Sequence, residues 1–377
     1  MATFNPFSEK GRPIEQQQHA LKELAREPYN KREVDEYTRT RIIGAYGMEN
    51  EMWYFYHNFA RNTDDQEIKT ALALIRRRED QHRSESGYCI DPTTTNAELT
   101  IAYEHLAVDL TAALAKDEPD PYVKQVFEYG LLEDFDHLFR FSVLLQRLEN
   151  IDANDITRGL VEIKPGRPTW EEHLDPRDTL RKHYDARKAD PLTRLHVMSL
   201  VAPEQQTRQF YASEGYWFKD DSARQLYAEI GQIEEQHVTQ YESLMDPTLS
   251  LLEMAIGHEY NEIYNYFGYL QAEKDPQIKP MWEEHLADEL EHLHIWTELY
   301  SRRERKDARQ MWPEQLPKPI VLQPSKDYVN QVLFDQLNLR ATGMQFVPKD
   351  RVPADWPSRR YQEEIDIGAA PSRGFQG

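Results

Sequence analysis

The feature that most constrains this chain is a repeated spacing of acidic residues and histidines. Four times, a Glu is followed 30 residues later by a second acid and, three residues after that, by a His. The last two sets repeat the first two after 155 residues, and the sets within each pair are 55 residues apart. An internal duplication explains this recurrence, and coincidence does not. The twelve residues are Glu49, Glu79, His82, Glu104, Asp134, His137, Glu204, Glu234, His237, Glu259, Glu289 and His292.

The acid three residues before each His is the part of the spacing that points to metal chemistry. Residues i and i+3 are neighbours on one helical face, so a single helix can offer both an oxygen and a nitrogen ligand. One such pair is weak support in a chain with 66 acidic residues, and only the common spacing selects among neighbouring acids. The competing acids are Glu51, Glu133 and Glu291.

Apolar periodicity and turn signals predict eight long helices in a chain with only 15 Gly. We expect an all-α fold of two tandem four-helix units, residues 36–150 and 192–303. An N-terminal arm (1–35) precedes them, a linker with at most short helices (151–191) joins them, and an irregular tail (304–377) follows. The predicted helices cover about 34–60, a stretch ending near 86, 97–116, 122–149, 192–213, 222–245, 248–273 and 277–303.

The predicted turns lie midway between the two acids of each set, at Asp64, Pro119, Lys219 and Lys274. Residues equidistant from a hairpin turn lie at the same height on antiparallel helices, here roughly 22 Å from the turn. Four carboxylates and two imidazoles at one level of an apolar core would be strongly destabilising without cations. The sequence therefore predicts dinuclear sites, each with two terminal Glu, two bridging carboxylates and two His.

With this motif the chain resembles the ferritin-like di-metal carboxylate superfamily, which includes ferritins, rubrerythrins and the ribonucleotide reductase small subunit. The resemblance covers the eight helices and rests on a Glu on one helix and Glu-x-x-His on the next, twice. It implies that the twelve residues hold two iron ions at each of two sites, with manganese as the alternative metal. It also implies reaction with O2 or peroxide, and it assigns no catalytic residue beyond the ligands.

The chain departs from that family in two respects. Asp134 stands where the family has a Glu, and its shorter side chain changes or weakens the bridge. The family also crosses over between its second and third helices, whereas Asp246-Pro247-Thr248 supplies only about 10 Å of chain at that point. Either each half forms an up-down-up-down bundle, or the halves interleave. In the interleaved case one site would combine Glu49, Glu79, His82, Glu204, Glu234 and His237, and the other six residues would form the second.

Three functions remain open at this point. The first is a non-haem di-iron oxidoreductase, an oxygenase or a peroxidase, that acts on a small-molecule substrate. The second is an iron-binding, ferroxidase-type protein without an organic substrate. The third is a partly degenerate structural homologue, in which Asp134 makes the first half the one to lose its metals.

Composition bounds the partners. With 66 acidic against 45 basic residues the net charge is −21, which argues against nucleic acid and anionic membranes. The single cysteine, Cys89, excludes a rubredoxin or iron–sulfur module within the chain, so an oxidoreductase would need an external electron donor. We see no signal peptide or membrane span and expect a cytoplasmic protein. The sequence leaves homo-oligomerisation open.

Overall fold

The computed structural model describes residues 4–375, which are mostly helical. A short helix, α1 (Leu21–Leu24), precedes the long helices, and all eight predicted long helices are present. Their bounds are α2 Glu36–Arg61, α3 Gln66–Tyr88, α4 Asn96–Asp117, α5 Pro121–Glu149, α8 Pro191–Glu214, α9 Asp221–Glu242, α10 Leu251–Ala272 and α11 Lys279–Glu304. Between α5 and α8 lie the short helices α6 (Ala153–Thr157) and α7 (Thr169–Glu172).

The tail is more regular than the sequence predicts. It contains α12 (Lys326–Gln336), an antiparallel hairpin of β1 (Leu339–Thr342) and β2 (Gln345–Pro348), and α13 (Pro357–Ile365). The hairpin turns at Gly343, whose φ of +59° suits a residue without a Cβ. The expectation of an irregular tail is therefore wrong for these segments, because runs this short carry little periodicity to recognise.

Local signals fix the helix ends, and they repeat with the same 155-residue offset. Asp65 and Asp220 each cap the first turn of the following helix through a side-chain oxygen. Thr95 and Ser250 each form a capping box with the Glu three residues on. The duplication thus preserves the helix-start chemistry together with the acid and His positions.

The chain folds into two compact units that do not correspond to the two halves of the sequence. Unit 1 comprises the chain up to Pro92, Asp185–Ala202 and Asp246–Val321. Unit 2 comprises Thr93–Tyr184, Pro203–Met245 and the chain from Leu322 on. The long helices of unit 1 are therefore α2, α3, α10 and α11, while unit 2 contains α4, α5, α9 and the C-terminal part of α8.

This division corrects both pairings considered from the sequence and the domain boundaries 36–150 and 192–303. The short connections at Asp91-Pro92-Thr93 and Asp246-Pro247-Thr248 do not join helices of one unit; the chain passes there from one unit to the other. In unit 2 the joint between the two helix hairpins is the stretch 150–190, which is 41 residues long. The segment read as an interdomain linker is thus largely part of unit 2.

The N-terminal arm and that linker are two copies of one segment, which we call the straps (residues 4–35 and 159–190). Gly11-Arg12-Pro13 recurs as Gly166-Arg167-Pro168. Gly11 contacts the α11 backbone so closely that a Cβ would lie 2.4 Å from Glu291 N, and a Cβ on Gly166 would lie 2.4 Å from Leu132 O of α5. Each strap therefore packs on a long helix of its own unit, and the Gly in each permits that approach.

Candidate metal centres

Six of the predicted residues lie together in the interior of unit 1. One comes from α2, two from α3, one from α10 and two from α11, all from the middle of their helices. Each is fully buried, with a relative exposure of 0%. They are Glu49, Glu79, His82, Glu259, Glu289 and His292.

These six residues form two overlapping groups of potential metal ligands. Glu49 and His82 form one group with Glu79 and Glu289, and Glu259 and His292 form the other with the same two carboxylates. Within each group the ligand atoms lie within 4.8 Å of one another. The geometry thus offers two adjacent cation positions that share Glu79 and Glu289 as bridges.

Both imidazoles of the unit 1 cluster direct Nδ1 at the carboxylates. His82 Nδ1 lies 3.0 Å from Glu289 and 3.3 Å from Glu49, and His292 Nδ1 lies 2.8 Å from Glu289. On the opposite side, His82 Nε2 lies 3.0 Å from an oxygen of Asp288, and His292 Nε2 lies 2.8 Å from Oε1 of Gln17. Because these partners accept hydrogen bonds, they would hold the ring proton on Nε2 when Nδ1 binds a cation.

A seventh side chain, Glu262, belongs to the unit 1 cluster although the sequence pattern did not select it. It is 2% exposed, and among the described residues neither of its oxygens has a hydrogen-bond partner. Burial, together with the charges of Glu289 and Glu79, raises its pKa well above the usual value. Its signal in the sequence is its place three residues after Glu259, but the repeat hides it because Ala107 occupies the equivalent position.

The unit 1 cluster carries more negative charge than its imidazoles balance. Burial and the charge of Glu289 raise the pKa of Glu79 to about 8. Burial and the charge of Glu79 likewise raise the pKa of Glu49. Within residues 4–375, both oxygens of Glu79, Oε2 of Glu259 and Oε1 of Glu289 have no hydrogen-bond partner. Unpaired buried oxygens facing one another are what a pair of cations would satisfy, so the donor set fits a dinuclear centre.

The other six predicted residues lie together in unit 2. His237 Nδ1 is 3.3 Å from both Asp134 and Glu204, and with Glu234 these residues form a group within 4.8 Å. His137 Nδ1 is 3.0 Å from Glu234. All of them are buried, with exposures of 2% or less. The set is Glu104, Asp134, His137, Glu204, Glu234 and His237.

Supporting contacts recur in both clusters with the 155-residue offset. Tyr56 donates a hydrogen bond to Glu259, and its equivalent Tyr211 donates one to Glu104. Asp288 faces Nε2 of His82, and its equivalent Glu133 lies 2.5 Å from Nε2 of His237. Glu133, which competes with Asp134 in the sequence pattern, thus contacts the His237 ring on the side that faces away from the cluster. The other two competitors, Glu51 and Glu291, are partly exposed.

The straps supply partners to these outer acids. Arg12 forms a bidentate contact with Asp288, at 2.6 Å to each oxygen. Its equivalent, Arg167, lies 3.8 Å from Glu133 and 3.3 Å from Glu172. The sequence carried a signal for this pair, the Gly-Arg-Pro triplet repeated after 155 residues, but it lies outside the helical periodicity that guided the prediction.

Unit 1 has a chain of polar contacts that leads from its surface to its cluster. His19 Nδ1 lies 2.9 Å from Glu85, whose other oxygen lies 3.5 Å from Nε2 of His285. His285 Nδ1 lies 3.3 Å from the hydroxyl of Tyr266, which donates to Glu49. The equivalent positions in unit 2 carry no ionisable side chain. They are Leu174, Gln240, Gly130 and Thr111.

Comparisons with protein families, curated proteins and solved structures found no match to this chain. Within the described residues, no helix is long and apolar enough to span a lipid bilayer. The functional argument therefore rests on the two buried clusters themselves.

Proposed function

We propose that each unit is a ferritin-like four-helix bundle with a dinuclear metal centre, and that the protein is a non-haem di-iron oxidoreductase acting on O2 or peroxide. The observation that supports this most directly is the sharing of Glu79 and Glu289 by two four-residue ligand groups in unit 1. Two cation positions that share two carboxylates are the arrangement that helix bundles of this class use.

The topology of unit 2 supports the proposal. The family resemblance requires a crossover between the second and third helices of a bundle. The 41 residues between α5 and α8 reach much further than the length of a helix, since an extended chain spans about 3.3 Å per residue. The objection raised by the short Asp246-Pro247-Thr248 connection then no longer applies, because that segment leads out of the unit.

The donor set is compatible with iron, the metal that the family resemblance implies, and with manganese as the alternative. Carboxylates and imidazoles suit both metals, whereas thiolate-selecting metals would need cysteine. The single cysteine, Cys89, is buried and faces the sulfur of Met281 at 3.9 Å. Bound iron pairs supply one-electron chemistry toward O2 or peroxide.

The protein's own residues would bind the metal ions, orient the ligands and enclose the site. Glu49 with His82, and Glu259 with His292, would be the terminal ligands of unit 1, and Glu79 and Glu289 the bridges. Tyr266 and Tyr56 hold the terminal carboxylates by donating hydrogen bonds to Glu49 and Glu259.

Water is excluded by the packing around these residues. Trp296 is fully buried and donates from Nε1 to the hydroxyl of Tyr56 at 2.7 Å. An enclosed, low-dielectric site strengthens the electrostatic interactions within it and limits side reactions. Since a single cysteine cannot form a rubredoxin or iron–sulfur module within the chain, electrons would come from an external donor or from the substrate.

Anaerobic titration with ferrous ion tests the proposal. We expect about four irons per chain, two for each of the two clusters, with Mössbauer spectra of coupled pairs after exposure to air. The variant Glu298→Ala serves as a control, because the Glu298 side chain is 73% exposed and lies outside both clusters. Failure of the wild-type protein to bind iron or manganese would overturn the proposal. Consumption of O2, compared with consumption of peroxide in the presence of an artificial donor, separates oxygenase from peroxidase.

A further inference from the structure

Unit 2 has a groove between α8 and α9 that the metal centre does not use. Its volume is about 680 Å³, within the range of sites that hold small organic molecules. Tyr216 lines its open side, the almost fully buried Tyr211 and Tyr227 lie at its floor, and small residues such as Ala228 and Gly231 leave the space above them open.

One side chain joins this groove to the metal cluster. Tyr211 lines the groove, and its hydroxyl donates a hydrogen bond to Glu104. Tyr227, behind it, packs edge to face on the Tyr211 ring with centroids 5.4 Å apart. A molecule on the floor of the groove would therefore touch the small accessible part of a side chain that itself contacts a proposed metal ligand.

The groove is open to solvent at the turn after α8. Tyr216 in this turn is 56% exposed, and Trp217 beside it is 69% exposed. Exposed aromatic side chains at the mouth of a cavity are typical of ligand-binding surfaces. The mouth therefore offers flat apolar contacts before the deeper tyrosines are reached.

The equivalent face of unit 1 is filled with larger side chains. Gly231 corresponds to Arg76 and Ala212 to His57. His57 stacks edge to face with Trp53, with centroids 4.5 Å apart. The cavity that remains there, about 500 Å³, is lined half by the charged residues Arg76, Arg77 and Asp80. The duplication thus kept the ligands in both units but opened an aromatic groove only in unit 2.

The charges at the groove indicate an anionic ligand. Arg208 is already paired with Glu235 at 3.0 Å. Arg224, which also lines the groove, is exposed and has no ion-pair partner in the described part of the chain. A guanidinium next to tyrosine rings suits a planar molecule with a carboxylate, since Arg binds carboxylates bidentately and aromatic rings pack well on one another.

We infer that the α8–α9 groove binds a small aromatic carboxylate, which makes unit 2 the substrate-binding unit; this assignment rests on the proposed oxidoreductase function. The ligand's ring packs on the exposed ring of Tyr216, above the groove floor to which Tyr211 contributes, and its carboxylate meets Arg224. Unit 1 binds metals without an adjoining aromatic groove.

Binding of benzoate to the full-length protein tests the inference, by calorimetry on iron-loaded and metal-free samples. We expect saturable binding to the wild-type protein. Ala228→Leu fills the groove and should weaken binding by about tenfold or more, the usual effect of one misplaced aliphatic group in a pocket. The matched control is Ala73→Leu, the equivalent and equally exposed position of α3 in unit 1, which should leave benzoate binding unchanged.

A second pair of measurements isolates the charge. Arg224→Gln should weaken benzoate binding by about tenfold, the loss of one charge-assisted contact, and should leave the binding of uncharged benzyl alcohol unaltered. Absence of saturable benzoate binding, or equal losses in Ala228→Leu and Ala73→Leu, overturns the groove assignment. Iron content of the same samples reports on the metal centres independently, so failure of the groove and failure of the proposed function give different results.

Discussion

The two units hold equivalent sets of six cluster residues but differ in what surrounds them. In unit 1 the cluster is embedded in charge: Glu262 adds a carboxylate, and Arg78 and Glu85 lie behind the ligands, both fully buried. The equivalent residues of unit 2 are Ala107, Ile233 and Gln240. The two copies share their ligand positions, because losing one ligand would leave the remaining buried carboxylates without a complete set of cation ligands. The residues around the ligands differ between the copies.

The surroundings of the unit 2 cluster differ at further positions. Tyr241 replaces Ser86, and its hydroxyl points to Gly130, where a Cβ would lie only 2.0 Å away. His285 occupies the position of Gly130 in unit 1. Unit 1 therefore has a buried ion pair between Arg78 and Glu85 where unit 2 has Ile233 and Gln240, and unit 2 has Tyr241 where unit 1 has Ser86. This contrast suggests a division of labour between two copies of one ancestral unit.

The largest expected effect concerns the buried ion pairs of unit 1. Glu85→Gln makes unit 1 resemble unit 2, but it removes a carboxylate that contacts Arg78 at 2.8 Å and also pairs with Arg26. Breaking a buried pair from one side costs about 3–5 kcal/mol. Urea denaturation of the metal-loaded protein should show a transition at much lower urea for this variant. An unchanged midpoint would show that unit 1 does not depend on this network.

A smaller effect, of opposite sign, is expected at Glu262. Glu262→Met keeps the approximate volume of the side chain but removes a buried carboxyl group whose oxygens have no hydrogen-bond partner within the described chain. The metal-free protein should gain about 1–3 kcal/mol of stability, the usual size of an unsatisfied buried polar group. The iron affinity of unit 1 should fall at the same time. A loss of stability in the metal-free protein would contradict the placement of Glu262 in the cluster.

The two units should respond alike where their contacts are the same. Tyr56→Phe and Tyr211→Phe each remove one hydrogen bond to a terminal Glu. Each should lower the stability of the iron-loaded protein by about 1–2 kcal/mol, because the acceptor is charged. Thermal melts of the two variants would measure this. Losses of stability that differ by several kcal/mol between the two variants would show that the two hydrogen bonds do not play equivalent roles.

The sequence predicted the helices and the three-residue ligand sets of each helix hairpin well, because both depend on local spacing. The eight long helices lie close to the predicted bounds. The acid three residues before each His lies on the same helix as that His, and the first Glu of each set lies on the preceding long helix. Which hairpins meet could not be predicted, because spacing within a hairpin is unaffected by the choice of partner. The length of the connections contains that information, but the prediction assigns residues 151–191 to a linker between the units.

Other features escaped prediction for a different reason. Glu262 and the polar contacts that lead from His19 to Tyr266 occur in one copy only. A prediction based on residues that recur after 155 positions therefore misses them. The straps do recur, but they make their contacts through single residues such as Arg12 and Arg167 without helical periodicity. Recurrence therefore finds what the copies share and misses what distinguishes them.

The iron content of two double variants tests the central claim, that α2 and α3 build one dinuclear centre with α10 and α11. Glu79→Ala/Glu289→Ala removes both bridges of one cluster, and we predict about two irons per chain, all in unit 2. Glu79→Ala/Asp134→Ala removes one bridge from each cluster, and we predict almost none. Circular dichroism confirms that both variants remain helical. Loss of all iron from the first variant, or retention of two irons by the second, would contradict the account.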